Sequence, residues 1–209
     1  MAAPGAPAFG GTFLQLTPRY AAFTAQEWRG VVDLLESYSI RRLILQWTMP
    51  PAVPLEPLFD LAAARGIRIE LGLIEDPAFW RDPISTLSRL RKPTEDLIRR
   101  HRALAGHAAF GGWYITQEID DTRWRDDKTR RALSDYLKRV VRRCQKTRRA
   151  TVTVSAFANG VQPPEQFAAF LAKLRHDVKI DRILFQDSIG ARKLTPEQLP
   201  AYYRAPIES

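Results

Sequence analysis

Strand-like and helix-like segments alternate along almost the whole chain, and this alternation constrains the fold more than any other feature. Each short apolar run is followed by an amphipathic segment. Strands are predicted at 10–16, 41–47, 67–74, 111–119, 150–157 and 181–187, and helices at 24–38, 54–66, 93–106, 127–146, 163–175 and 194–204. About six β/α units in strict order predict a parallel sheet covered by helices. No low-complexity linker interrupts them, so we expect one domain over residues 1–209.

Two architectures fit this alternation: an open doubly wound sheet and a (β/α) barrel. A doubly wound sheet that binds a nucleotide favours a glycine-rich turn after its first strand. The corresponding segment, LQLTPRYAAFT, contains no glycine, which counts against nucleotide binding. A full barrel needs eight units, and this chain supplies about six.

Composition narrows the choice of partners. No apolar run approaches the roughly 18 residues of a membrane-spanning helix, so we expect no membrane span. The single cysteine, Cys144, excludes an internal disulfide.

The net charge of +9 allows an anionic partner, and ten cations lie in the segment from Lys128 to Arg149. This run is either the solvated face of a helix or a patch for an anionic polymer. It lacks the interleaved aromatic residues of single-strand nucleic-acid grooves, and we predict no nucleic-acid partner.

Polar and aromatic side chains gather where the predicted strands end. Amides are found at Gln15, Gln46, Gln117 and Gln186, acids at Glu75, Asp76, Glu118, Asp120 and Asp187, and indoles at Trp47, Trp80 and Trp124. Ligands of parallel α/β folds bind at the carboxyl ends of strands. Amides and carboxylates can bond sugar hydroxyls, and flat aromatic faces can pack on sugar rings. The pattern therefore predicts a carbohydrate pocket.

Glu118 is the strongest catalytic candidate. Strand alternation places Tyr114, Thr116, Glu118 and Asp120 on one face, and partial burial there would raise the carboxyl pKa toward that of a general acid. The alternative is a strand-end acid paired with an arginine. Asp187 is predicted to be the base or nucleophile, and the alternative for it is a turn-forming aspartate.

The pocket is predicted to be lined by further residues of the same strand ends. Its predicted substrate-binding residues are Gln15, Gln46, Trp47, Trp113, Tyr114, Asp120, Trp124 and Gln186, with the three tryptophans as platforms for sugar rings. The three histidines are isolated and show no metal-ligand spacing. We therefore predict no metal site and no cofactor.

Four segments, GGTFLQL, GGWYITQEID, VSAF and LFQDSIG, resemble in order a bacterial TIM-barrel family of unknown function that is similar to glycoside hydrolases. The resemblance covers almost the whole chain. It implies a glycosidase-like barrel, often exported to the periplasm or secreted and linked to surface polysaccharide. It also implies that Glu118 and Asp187 are the catalytic positions, with Gln15 and Tyr114 lining the site.

The chain departs from that family after its sixth unit, because family members continue into two more. Many retaining barrel glycosidases carry the nucleophile on the seventh strand, which this sequence does not supply. Three interpretations remain open: a fragment, a site built from Glu118 and Asp187, or a degenerate barrel that binds sugar without cutting it. We also expect the open sheet edges to be covered by terminal segments or paired with another chain.

Overall fold

The computed structural model of this protein describes residues 10–48 and 53–208. Its strands are β1 (Thr12–Gln15), β2 (Arg42–Gln46), β3 (Arg68–Gly72), β4 (Phe110–Asp120), β5 (Thr151–Phe157) and β6 (Arg182–Gln186). They form one sheet in the order β1-β2-β3-β4-β5-β6, and every neighbouring pair is parallel. The sheet curls into a half-barrel with helices between its strands, which confirms the predicted incomplete (β/α) TIM-type barrel.

The helices cover the convex face of this sheet. They are α1 (Ala25–Ser37), α2 (Glu56–Ala64), α3 (Pro83–Arg100), α4 (Arg102–Ala105), α5 (Asp127–Thr147), α6 (Pro164–Val178) and α7 (Leu199–Glu208). Thr24 and Glu27 form a capping box at the start of α1. Alternate strand residues such as Leu43, Leu45 and Val154 pack against these helices in the main core.

Helix α3 begins ten residues earlier than predicted, at Pro83 instead of residue 93. Residues 83–92, which lie between the predicted strand at 67–74 and the predicted helix at 93–106, are therefore helical. Proline suits the first helical turn, where its missing N–H would have no partner, and Asp82 caps the turn by accepting a hydrogen bond from the Ser85 backbone N–H at 3.2 Å. Pro93 lies inside the helix at an exposed position.

The concave face of the sheet carries an ion cluster at its amino-terminal end. Glu70 of β3 is 1% exposed and accepts a hydrogen bond from the Arg182 guanidinium of β6 at 2.7 Å. Arg42 of β2 lies 3.2 Å from the same carboxylate oxygen. Because β3 and β6 are not neighbours in the sheet, this contact spans the concave face and helps hold the sheet in its curl.

Helix α7 packs beside the last strand. The Tyr203 hydroxyl donates a hydrogen bond to the Phe185 carbonyl at 3.3 Å, and the two rings lie 5.5 Å apart. Self-association through the sheet edges stays a prediction. Among the described helices, none has both the length and the apolar character needed to cross a bilayer.

Candidate functional site

The carboxyl ends of the strands form a rim around the concave face, which we call the mouth. It contains the side chains of Gln46, Trp47, Glu75, Tyr114, Glu118 and Gln186. Five of these six residues were predicted to line a site, and Glu75 was noted only as one of several strand-end acids.

Tyr114 forms the floor of the mouth. Its hydroxyl lies 2.9 Å from the Ser155 hydroxyl of β5, and its ring meets the Phe13 ring edge-on at 5.3 Å. Burial raises the pKa of Tyr114 to about 12, although hydrogen bonds to Ser155 and Gln46 act in the opposite direction. The phenol is therefore neutral at physiological pH and can donate or accept a hydrogen bond.

Glu118 lies above Tyr114 and is half-buried. The Gln186 side-chain amide of β6 donates a hydrogen bond to its carboxylate at 2.7 Å. Burial raises the pKa of Glu118, and the negative charges of Glu75 and Asp120 raise it further, while the bond from Gln186 lowers it. The predicted alternative, an ion pair with an arginine, does not form among the described residues, because the bonded partner is a neutral amide.

Trp47 and Glu75 occupy the adjacent part of the mouth. The Trp47 indole N–H donates a hydrogen bond to the Glu75 carboxylate. Trp47 has a φ of 58°, in the left-handed region that bulky residues rarely adopt. Its side chain is 37% exposed, so part of the indole is accessible to a ligand.

The close packing of β2 and β3 below Trp47 depends on a glycine. A Cβ at Gly72 would lie 2.2 Å from the Leu45 carbonyl oxygen, so no larger residue fits without a backbone shift. The Thr48 hydroxyl also donates a hydrogen bond to the Gly72 carbonyl at 2.5 Å. These contacts fix the segment that carries Trp47.

Trp113 and Trp124 do not lie at the mouth, and the prediction that they are sugar platforms is wrong. Both are fully buried in the core. Trp113 follows the strand alternation onto the helix-covered face, where its ring lies 5.1 Å from that of Phe110. The Trp124 ring lies 6.0 Å from that of Phe79. A fully buried indole has no free face for a ligand.

Asp120 is also unavailable to a substrate, contrary to prediction. It is fully buried, and one carboxylate oxygen accepts backbone hydrogen bonds from Thr122 at 2.8 Å and Arg123 at 2.7 Å. The other oxygen accepts from the Arg123 guanidinium. Asp120 therefore shapes the turn after β4 and affects the site only through its charge.

The next residue, Asp121, has a structural role that the sequence analysis missed. Its buried carboxylate accepts hydrogen bonds from the backbone N–H groups of Asn159, Val161 and Gln162 at 2.6, 2.7 and 3.1 Å, and from the Asn159 side chain at 3.1 Å. It therefore anchors the loop between β5 and α6. The turn residues Asn159 and Gly160 after a strand were the available signal.

Gln15 lies at the exposed end of β1, opposite Gln46 in the strand register. It borders the mouth at the open edge of the sheet. This position is compatible with its predicted role in substrate binding, which stays a prediction.

Asp187 is exposed and takes part in a turn. Its carboxylate accepts a hydrogen bond from the Ile189 backbone N–H at 3.0 Å. Its charge acts on Tyr203 of α7, whose pKa is raised first by burial and then by Asp187. These contacts match the turn-forming alternative. The acids whose charges act on Glu118 are Glu75 and Asp120.

Within the described ranges, no group of three or more histidine, cysteine, aspartate or glutamate side chains is arranged to hold a metal ion. The mouth itself presents carboxylates, amides, a phenol and aromatic rings. Such a set can bind hydroxyl-rich molecules and transfer a proton.

The fold resembles that of known TIM-barrel proteins. A crystal structure of a "putative alpha-L-fucosidase" from Bacteroides thetaiotaomicron VPI-5482 matches 95% of this chain and 68% of its own, with a TM-score of 0.73 and 17% sequence identity. At that identity the match supports the fold alone and says nothing about substrate.

Comparison of the sequence with known proteins identifies a relative and a family. The chain is 28% identical over 219 residues to the uncharacterized protein YbcH of Escherichia coli strain K12, an alignment that covers 98% of this chain and 73% of YbcH. The model of a family described as a domain of unknown function, DUF4434, matches residues 9–208. The match covers nearly the whole chain, so the protein belongs to the DUF4434 family.

Proposed function

We propose that this protein is a glycoside hydrolase that acts on a bacterial cell-surface polysaccharide or exopolysaccharide through two carboxylates, with Glu118 as the proton donor. One observation carries the proposal: a half-buried carboxyl with a raised pKa lies at the mouth of a TIM-type half-barrel. Glycosidases need such a group because the departing sugar oxygen must receive a proton as the glycosidic bond breaks.

The surroundings of Glu118 support a sugar as ligand. The Gln186 amide and the Tyr114 hydroxyl offer donors and acceptors for sugar hydroxyls. Trp47 and Phe13 are 37% and 42% exposed, and their rings can pack against the apolar faces of sugar rings. The substrate would lie across the concave face between these groups.

The proposal is tested by Glu118→Gln. This change keeps the side-chain shape and the acceptor for Gln186 but removes the proton donor. We expect release of reducing ends from a bacterial polysaccharide to fall by roughly 10²–10⁴-fold. The matched control is Glu95→Gln in helix α3, which should retain the parent rate. Equal rates for Glu118→Gln and the parent protein would contradict the proposal.

A non-catalytic carbohydrate-binding or scaffolding module is the second candidate. The turn contact of Asp187 favours it, because the predicted second carboxylate is hydrogen-bonded within its own loop. Calorimetric binding of an oligosaccharide, without hydrolysis of any polysaccharide by the parent protein, would support this candidate over the enzyme.

A substrate on the cell surface implies that the protein acts outside the cytoplasm. We propose that the protein works in the periplasm or after secretion, where such polysaccharides are exposed. Fractionation of the native host, followed by detection of the protein with an antibody, tests this. Recovery from the cytoplasmic fraction alone would contradict it.

A further inference from the structure

We propose that Glu75, and not Asp187, is the second carboxylate of the site and forms a catalytic pair with Glu118. The inference rests on the proposed function, because it assigns a second residue to the same reaction. Glu75 lies just beyond the end of β3 and its side chain is exposed at the mouth.

Contacts between the ends of β3 and β4 bring Glu75 near Glu118. Strands β3 and β4 are neighbours, and adjacent strands lie about 4.8 Å apart. The Leu73 N–H donates to the Tyr114 carbonyl at 2.8 Å. The Ile74 carbonyl accepts hydrogen bonds from the Thr116 hydroxyl at 2.5 Å and from the Gln117 side-chain amide at 2.7 Å. The two segments therefore stay in contact up to the residues that immediately precede the glutamates.

Trp47 orients the Glu75 side chain. Its indole N–H donates to the Glu75 carboxylate from the neighbouring loop after β2. The left-handed backbone of Trp47 is unfavourable for such a bulky residue. Strained residues of this kind persist where the surrounding structure fixes them, and they cluster at functional sites. The strain observed here therefore points to a function for the Trp47–Glu75 contact.

The two carboxyls have different environments. Glu118 is half-buried and bonded to a neutral amide, whereas Glu75 is exposed and bonded to an indole N–H. Enzymes that use two carboxyls separate their roles by such differences in environment. The negative charge of Glu75 also contributes to the raised pKa of Glu118, which agrees with their proximity. Glu118 thus suits the acid, and Glu75 suits the group that acts on the anomeric carbon.

The assignment of Glu75 as the group that acts on the anomeric carbon corresponds to a retaining mechanism, which uses carboxyls about 5–5.5 Å apart. In the first step a Glu75 oxygen bonds to the anomeric carbon. The bond from that carbon to the leaving oxygen breaks, and this oxygen keeps the electron pair and takes the Glu118 proton. In the second step the oxygen of a water molecule bonds to the anomeric carbon, and this water gives a proton to the Glu118 carboxylate. The bond to Glu75 then breaks, which restores both side chains.

The first experiment measures hydrolysis of 4-nitrophenyl glycosides of glucose, galactose, mannose, fucose, rhamnose and N-acetylglucosamine. Glu75→Ala should lose at least 100-fold in rate, while Glu95→Gln should match the parent. Sodium azide should restore turnover of Glu75→Ala, because it fills the vacated space and attacks the same carbon. The product is then a glycosyl azide of inverted anomeric configuration.

The second experiment does not depend on activity. Carbon-13 labelling of glutamate carboxyls gives the titration midpoint of Glu118 by NMR. Glu75→Gln removes a neighbouring negative charge and should lower this midpoint by roughly half a pH unit or more. Glu95→Gln should leave it in place.

The outcomes separate the two proposals. Parent activity that survives Glu75→Ala but disappears in Asp187→Asn overturns the assignment of Glu75 and leaves the hydrolase proposal standing. A parent protein that hydrolyses no glycoside or polysaccharide overturns the hydrolase proposal, and the titration then decides whether Glu75 and Glu118 are paired. An unchanged Glu118 midpoint in Glu75→Gln overturns the pairing itself.

Discussion

Replacing Glu118 by glutamine should leave the stability of the fold nearly unchanged, whereas the same change at Glu70 should lower it. Both are strand glutamates with inward-facing side chains. Glu118 bonds to the neutral Gln186 amide and has acids as its charged neighbours. Its glutamine variant keeps an acceptor for Gln186 and relieves charge repulsion. A typical neutral hydrogen bond contributes about 1 kcal/mol, so we expect the free energy of unfolding at pH 7 to change by no more than about this amount or to rise.

Glu70 is compared with Glu118 because its carboxylate belongs to an ion cluster that holds the sheet together. Its fully buried carboxylate contacts the guanidinium groups of Arg182 and Arg42. Removing one partner of a buried ion pair costs roughly 3–5 kcal/mol, and the lower end applies because both arginines are partly exposed. For a chain of this size, 3 kcal/mol corresponds to a fall in melting temperature of about 6–12 °C. Hydrolysis per folded molecule should stay unchanged.

The direction in which stability changes with pH gives a further test of the environment of Glu118. The pKa of Glu118 is raised in the folded state, so the folded protein binds more protons than the unfolded chain between the unfolded and folded pKa values. The stability that this group contributes is present below the unfolded pKa and is lost as pH rises through the folded pKa. The parent protein should therefore lose stability relative to Glu118→Gln as pH rises through that window.

Urea unfolding of the parent, Glu118→Gln and Glu70→Gln proteins at several pH values measures these differences. A loss of about 3 kcal/mol or more in Glu118→Gln at pH 7 would refute the reasoning, because it would show that Glu118 is a structural ion pair. A Glu70→Gln protein as stable as the parent would refute the role assigned to the ion cluster.

Three other variants test the surroundings of the site. Trp47→Gly relieves the left-handed backbone, so melting temperature should hold or rise, while oligosaccharide affinity measured by calorimetry should fall. Gly72→Ala places a methyl against the Leu45 carbonyl and should cost roughly 1–3 kcal/mol in urea unfolding. Asp121→Ala leaves the loop donors of Asn159, Val161 and Gln162 without their acceptor and should cost at least about 2 kcal/mol by the same assay. A parent-like oligosaccharide affinity in Trp47→Gly, or a parent-like free energy of unfolding in either of the other two variants, would contradict the stated contact.

The repeating units were predictable because parallel strands and their covering helices have strong, regular periodicities. The alternation also placed Tyr114 and Glu118 on the concave face correctly. Helix α3 was cut short in the prediction because Pro83 was placed in a loop and the helix was started at Pro93. The structure accommodates the first at a helix start and the second at an exposed position inside the helix.

The site was harder to predict because a residue type does not reveal its partners. Trp113 and Trp124 were chosen for their chemistry, but the strand alternation and the packing of the helices bury them. Asp120 is engaged by the turn that follows it. Glu75 gained importance only from a contact with Trp47, which depends on a left-handed backbone that no sequence pattern marked.

The most direct test of Glu118 as a proton donor is its dependence on the leaving group. The measurement compares the loss of kcat/KM, which covers the steps up to departure of the leaving group, that Glu118→Gln causes on an oligosaccharide and on the 4-nitrophenyl glycoside of the same sugar. A sugar oxygen needs a proton to depart, whereas 4-nitrophenolate is stable enough to leave without one. The account predicts a loss of roughly 10²–10⁴-fold on the oligosaccharide and a much smaller loss on the 4-nitrophenyl substrate. Equal losses on both substrates would contradict it.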